Sequence, residues 1–227
     1  MNLEPLFPSA GAWRRGHAGT HAAGVATGYG GLDALLPGGG WPQAALTEIL
    51  VADRSVGALR LLLPLLARLS HEDRWLCWVA PPHIPYSPAL AAAGVDLSRV
   101  LLVHPGARQN GLWAVEQALR SGRCGAVLAW PALDEASALR RLQLAAQAGD
   151  AMGFLFRSQQ LASRPSPAAL RVQLDTHADG NLSLSLLKRR GGLVAAGRVY
   201  LETVLPRGAP AMRAHAAASG YMRPNWQ

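Results

Sequence analysis

The stretch from Thr27 to Pro64, TGYGGLDALLPGGGWPQAALTEILVADRSVGALRLLLP, constrains the fold more than any other. It reads as a glycine-rich lead-in, an apolar strand from Ala44 to Val51, a short loop, and a helix opening near Ser55 or Val56. In that helix Leu59, Leu62, Leu63, Leu66 and Leu69 recur at helical spacing, leaving Arg60 and Arg68 for the outer face. Gly28, Gly30 and Gly31, and then Gly38-Gly39-Gly40-Trp41-Pro42, mark two turns around the single helical turn of Leu32 to Leu36.

A strand, loop and helix in this order is where a phosphate-binding loop sits, because its glycines let the backbone approach the phosphates and the helix N-terminus attracts negative charge. The motif G-x-x-x-x-G-K-[ST] is degenerate here. With Gly57 as the second glycine, the first falls on Ala52, the lysine on Ala58 and the magnesium-binding hydroxyl on Leu59. Asp53 adds a negative charge where phosphate would lie, and Arg54 is the nearby cation. The expectation is a scaffold without its phosphate grip, hence no cofactor and no catalytic residue.

Further along, Trp75 to Val79, Val100 to Val103, Ala126 to Trp130 and Gly153 to Arg157 read as apolar strands, three of them stopped by Pro81, Pro105 and Pro131. Helices are expected over Ser87 to Ala93, Leu112 to Arg120 and Asp134 to Gln147, the last with Asp134 as N-cap, Leu139, Leu142 and Ala146 inward, and Arg140 and Arg141 outward. Successive strand-helix units with continuous apolar strands imply an α/β fold, a mainly parallel sheet flanked by helices on both faces. The period then switches to alternation at Leu170, Val172 and Leu174 and at Leu182, Leu184 and Leu186, around the turn 177–181, which adds a C-terminal antiparallel hairpin extension. Val199 to Val204 is a candidate last strand.

The division into parts follows. Residues 1–24 are expected to be a flexible arm, 25–205 the core, and 206–227 a basic tail disordered when alone. Charge is uneven: residues 1–150 carry 12 arginines against 11 carboxylates, whereas 151–227 carry 10 cations against Asp175, Asp179 and Glu202. That localised basicity suggests a nucleic-acid or acidic-partner surface. No apolar run approaches the ~20 residues of a membrane span. The N-terminus lacks the plan of a secretory signal, and Cys77 and Cys124 read as buried free thiols, so a cytoplasmic protein is expected. The histidines show no metal-ligand spacing.

The lead-in, LPGGGWP at 36–42, GVDLSRVLLVHPG, LWAVEQALRSGRCGAVLAW and LKRRGG at 187–192 together resemble a RecA-like core, and more closely the ImuA group of SOS-associated proteins, often labelled SulA-like. This resemblance covers roughly residues 11–205. Carried over from RecA, the phosphate-loop lysine and hydroxyl fall on Ala58 and Leu59, the catalytic glutamate falls near Pro81 and the Walker B aspartate on Trp130, so hydrolysis is not implied. What the resemblance does imply is a non-catalytic accessory role in damage-induced translesion synthesis. The partners would be ImuB and an error-prone C-family DNA polymerase, with RecA and DNA as further contacts and no membrane. An alternative drawn from the shared label is a SulA-like division inhibitor that binds FtsZ. A residual nucleotidase using Arg54 and Asp53 is a third.

Contact residues are expected at Arg157 and Arg164, on the carboxyl edge of the sheet, and at Lys188, Arg189 and Arg190 in the cationic turn after the hairpin. Arg213, Tyr221, Met222, Arg223 and Trp226 form a candidate partner-docking tail.

Overall fold

The computed structural model describes residues 23–52, 57–106, 108–131, 135–177, 181–189 and 198–201. A mixed α/β fold is observed. In chain order come α1 (Gly30–Asp33), β1 (Leu46–Val51), α2 (Gly57–Arg60), α3 (Leu63–Ser70), β2 (Trp75–Val79), α4 (Ser87–Ala92) and β3 (Val100–Val103). These are followed by α5 (Arg108–Arg120), β4 (Cys124–Ala129), α6 (Ala136–Ala148), β5 (Met152–Ser158), β6 (Leu170–Thr176), β7 (Leu182–Arg189) and β8 (Arg198–Leu201).

The strands form one sheet in the order β3-β2-β4-β5-β1-β6-β7-β8. Pairing is parallel from β3 through β6 and antiparallel for β6–β7 and β7–β8, as the change of period at Leu170 suggests. The first strand of the chain therefore lies in the interior of the sheet, between β5 and β6, and every residue of β1 is buried. A strand covered on both faces is mainly apolar, because successive side chains enter opposite layers, and the buried Thr47 and Glu48 are the polar exceptions in β1.

Those layers are distinct. One face carries Ile49, Trp78, Leu128, Phe154, Phe156, Val172 and Leu184 against α1, α3 and α4; the other carries Leu46, Val79, Val127 and Leu155 against α5 and α6. Leu139, Leu142 and Ala146 point inward from α6, while Arg140 and Arg141 face solvent, matching the helical period. Gln143 is also buried, and its Oε1 accepts a hydrogen bond from the Leu46 N–H at 3.0 Å, which ties α6 to the start of β1.

Two expectations change. The helix expected to run unbroken from Ser55 or Val56 is two helices, α2 and α3, parted before Pro64. Pro64 has no N–H to offer the Arg60 carbonyl four residues back, and the Tyr29 hydroxyl donates to that carbonyl instead, at 3.1 Å. Gly28, at φ 91, lets Pro64 pack on the lead-in, since a Cβ there would collide with the proline ring. The second change concerns Asp134, the expected N-cap of α6, which lies outside the described residues; Glu135 occupies the cap position without a side-chain cap bond.

Candidate partner-docking groove

At the carboxyl edge of the sheet, β1 hands over to α2, β2 to a proline-rich loop, and β4 and β5 end in aromatic side chains. Together they enclose a groove of about 200 Å³. Its walls are Ala58, Leu59 and Arg60 of α2, Trp78 of β2, the loop Pro81 to Tyr86, and Trp130 and Phe156.

Each residue of the degenerate phosphate loop can now be placed. Ala52 is exposed at the end of β1, Gly57 opens α2, the buried Ala58 fills the lysine position with a methyl group, and the half-buried Leu59 packs on the core in place of the magnesium-binding hydroxyl. Trp130, in place of the Walker B aspartate, stacks on Phe156 with ring centroids 4.6 Å apart and planes 9° apart, and meets Trp78 at 6.4 Å. A layer of three aromatic rings, Trp78, Trp130 and Phe156, therefore lines this part of the sheet edge. Among the described residues, the ionisable groups lining the groove are Arg60, His83 and Tyr86. Close by, burial pushes the Tyr29 phenol above its ordinary value, with Arg60 opposing that shift. Among the described residues no group of three or more His, Cys, Asp or Glu could hold a metal ion.

The cationic site residues fare differently. Arg157, expected at the surface, is a correction: its side chain is buried, and its guanidinium donates to the Glu48 carboxylate inside the sheet. A charge pulled out of water must be paired, and Glu48 on the neighbouring strand pairs it. Arg164 is exposed in the loop after β5, and its carbonyl accepts from Arg171 Nη1 at 2.8 Å. Lys188 is half-buried on β7, and its ammonium donates to the Ser166 carbonyl, so it secures that same loop. Arg189 ends β7, pairing with Leu170. Arg190, Arg213, Tyr221, Met222, Arg223 and Trp226 lie outside the described residues.

Sequence reasoning missed two features. Glu48, a lone carboxylate in an apolar strand, was the available signal for the buried charge cluster. Pro81 signals the end of β2, but nothing in the sequence reading marks the loop Pro81-Pro82-His83-Ile84-Pro85-Tyr86, which presents Ile84 and Tyr86 to solvent, 73 % and 55 % exposed.

The fold and the groove thus define a mixed α/β protein with an apolar aromatic surface at the carboxyl edge of its sheet. The family profile described as "Cell division inhibitor SulA" matches residues 44–153. A cell division inhibitor SulA from Edwardsiella piscicida is 38 % identical over 132 residues, 56 % of this chain and 78 % of that protein. One from Photorhabdus laumondii is 37 % identical over 116 residues, 51 % of this chain and 65 % of the relative. The crystal structure of SulA from Pseudomonas aeruginosa aligns at 32 % identity over 49 % of this chain and 97 % of that one, with a TM-score of 0.42. The chain belongs to the SulA family.

This corrects the ImuA assignment. The translesion role falls with it, as do ImuB, the C-family polymerase, RecA and DNA as partners, because the matched span and the relatives are those of division inhibitors. Among the described residues no helix is long and apolar enough to cross a membrane.

Proposed function

We propose that this chain inhibits cell division by binding the tubulin-like division protein FtsZ, and that it acts by occupancy without catalysing a reaction. One observation carries this reading: the 38 % identity to a named division inhibitor across most of that inhibitor's length. The groove supports it, because Ala58, Leu59 and Trp130 supply no group that polarises water or holds a metal, while the apolar surface they form suits a protein contact. We further propose that residues 25–205 form one RecA-like core in the cytoplasm, a reading supported by the position of β1 between β5 and β6 in a mainly parallel sheet.

Controlled expression in a rod-shaped bacterium tests the function. Filamentous cells lacking division rings are expected, and cells of normal length at high expression would overturn the reading. Co-sedimentation of the purified chain with FtsZ, and suppression of FtsZ polymerisation, are the matching results with isolated proteins.

A further inference from the structure

We propose that Cys77 and Cys124 form a reversible disulfide when the chain meets hydrogen peroxide, which makes the junction of β2 and β4 a two-electron redox site. The inference stands apart from the functional reading above, because it rests on the sheet alone.

Strand register brings the thiols together. Cys124 opens β4 opposite Trp75, and the next pair is Leu76 with Ala126, so Gly125 is skipped. That one-residue bulge reverses the alternation of side chains. Without it Cys124 would share the face of Ala126 and Leu128; with it, Cys124 joins Cys77 in the layer covered by α5 and α6. The two thiols are hydrogen-bonded to one another there, and they are the only cysteines of the chain, so a single internal disulfide can form.

The bulge also supplies the movement that closure needs. Cys77 lies two positions along β2 from Trp75, which at about 3.3 Å per residue and about 4.8 Å between strands sets the two Cα atoms about 8 Å apart. A disulfide draws them to about 4.4–6.8 Å. The start of β4 can yield by that amount: among the described residues Gly125 has no register partner on β2 or β5, and Cys124 follows the exposed turn of Ser121, Gly122 and Arg123.

The surroundings divide the roles. Cys124 is the outer thiol, 5 % exposed against 1 % for Cys77, and the Ser121 hydroxyl lies 3.8 Å from its sulfur. Hydrogen bonds from Cys77 and Ser121, with Arg74 nearby, lower Cys124 to about 7, whereas the bond to Cys124 and burial push Cys77 up. Arg74 is itself paired with Asp150 at 3.4 Å. At neutral pH Cys124 therefore supplies the thiolate, the nucleophilic form, and Cys77 keeps its proton. The Cys124 sulfur attacks one peroxide oxygen; the S–O bond forms, the O–O bond breaks, and the departing hydroxide takes up a proton as water. The Cys77 sulfur then attacks the Cys124 sulfenic acid; the S–S bond forms, the S–O bond breaks, and the leaving hydroxide carries off the Cys77 proton as a second water. Two thiols have given two electrons to one peroxide.

The test exposes the folded, purified chain to hydrogen peroxide at neutral pH, counts the remaining thiols by alkylation in urea, and maps the unreduced peptides. Both thiols should disappear together, a link between the peptides of Cys77 and Cys124 should appear, and a dithiol reductant should restore both. The rate should climb through about pH 7 as Cys124 ionises. Cys77→Ser should stop at a sulfenic acid on Cys124, trapped by a cyclic diketone, and Cys124→Ser should leave Cys77 reduced. A folded wild-type chain that keeps both thiols at a peroxide dose that oxidises the urea-unfolded chain would overturn the site, and that comparison needs no variant to fold. Links between chains in place of the internal one would overturn it as well. Oxidation of Cys77 in Cys124→Ser at the wild-type rate would overturn the division of roles.

Discussion

Glu48 and Arg157 form an ion pair inside the sheet, on the adjacent strands β1 and β5, with side chains 0 % and 5 % exposed. Arg171 of β6 completes the cluster, its Nε 2.6 Å from Glu48 Oε2. The Arg171 guanidinium also donates to the carbonyls of Leu161, Ala162 and Arg164, at 2.9, 3.2 and 2.8 Å. One carboxylate therefore holds three strands in register and secures the loop after β5. Removing it strands two buried cations. Glu48→Gln is expected to destabilise the fold by about 3–5 kcal/mol in urea titration, whereas replacing all three side chains with apolar ones of similar volume should cost little or stabilise by about 1–4 kcal/mol.

Ala80 makes the opposite prediction. Its φ of 50 is a conformation glycine adopts freely, so Ala80→Gly relieves about 1–2 kcal/mol of strain and gives back part of it through a more disordered unfolded chain. A net gain of about 0.5–1 kcal/mol is expected, read as a higher thermal midpoint.

Gly149 and Gly122 separate two reasons for needing glycine. Gly149 closes α6 with ordinary negative φ, but a Cβ there would overlap the Leu119 carbonyl at the end of α5. Gly122 has φ 68 and nothing near its absent Cβ. Gly149→Ala should cost about 2–3 kcal/mol by forcing the two helix ends apart, and Gly122→Ala about 1 kcal/mol from backbone strain alone. Parallel urea titrations of the two variants check the ratio.

Cys77 of β2 and Cys124 of β4 are both buried free thiols, hydrogen-bonded to one another. That bond, helped by the Ser121 hydroxyl and by Arg74, lowers Cys124 to about 7; the same bond and burial push Cys77 up. A depressed thiol stabilises the fold above its unfolded value of about 8.5 and loses that contribution as pH falls through 7. A raised thiol contributes below about 8.5, a contribution lost at higher pH. Stability should therefore climb from about pH 7 to about 8.5 and decline beyond. Cys77→Ala removes the bond and should flatten the climb, as urea midpoints across that range would reveal.

Much of the architecture was legible in the residues because it depends on local periodicity. The mainly apolar runs Ala44 to Val51 and Ala126 to Trp130 suit a sheet covered on both faces, and alternation at Leu170, Val172 and Leu174 suits a strand that leads into a hairpin. The departure from the phosphate-loop motif was equally plain, since it is a matter of the identities of Ala58 and Leu59 alone. The family was misjudged because glycine turns and a KRRGG run are short and shared, whereas the SulA match extends over residues 44–153.

What the sequence by itself determined, then, was the succession of strands and helices along the chain, written in the periodicity of neighbouring residues. Tertiary structure decided which charges meet solvent and where the apolar surface gathers. Arg157 is buried because Glu48, 109 residues away, lies on the next strand. The groove exists because β1, β2, β4 and β5 end side by side, bringing Ala58, Trp78, Ile84, Trp130 and Phe156 into one wall. Such distances are set by strand order, and strand order is a property of the packed sheet that no local window of residues contains.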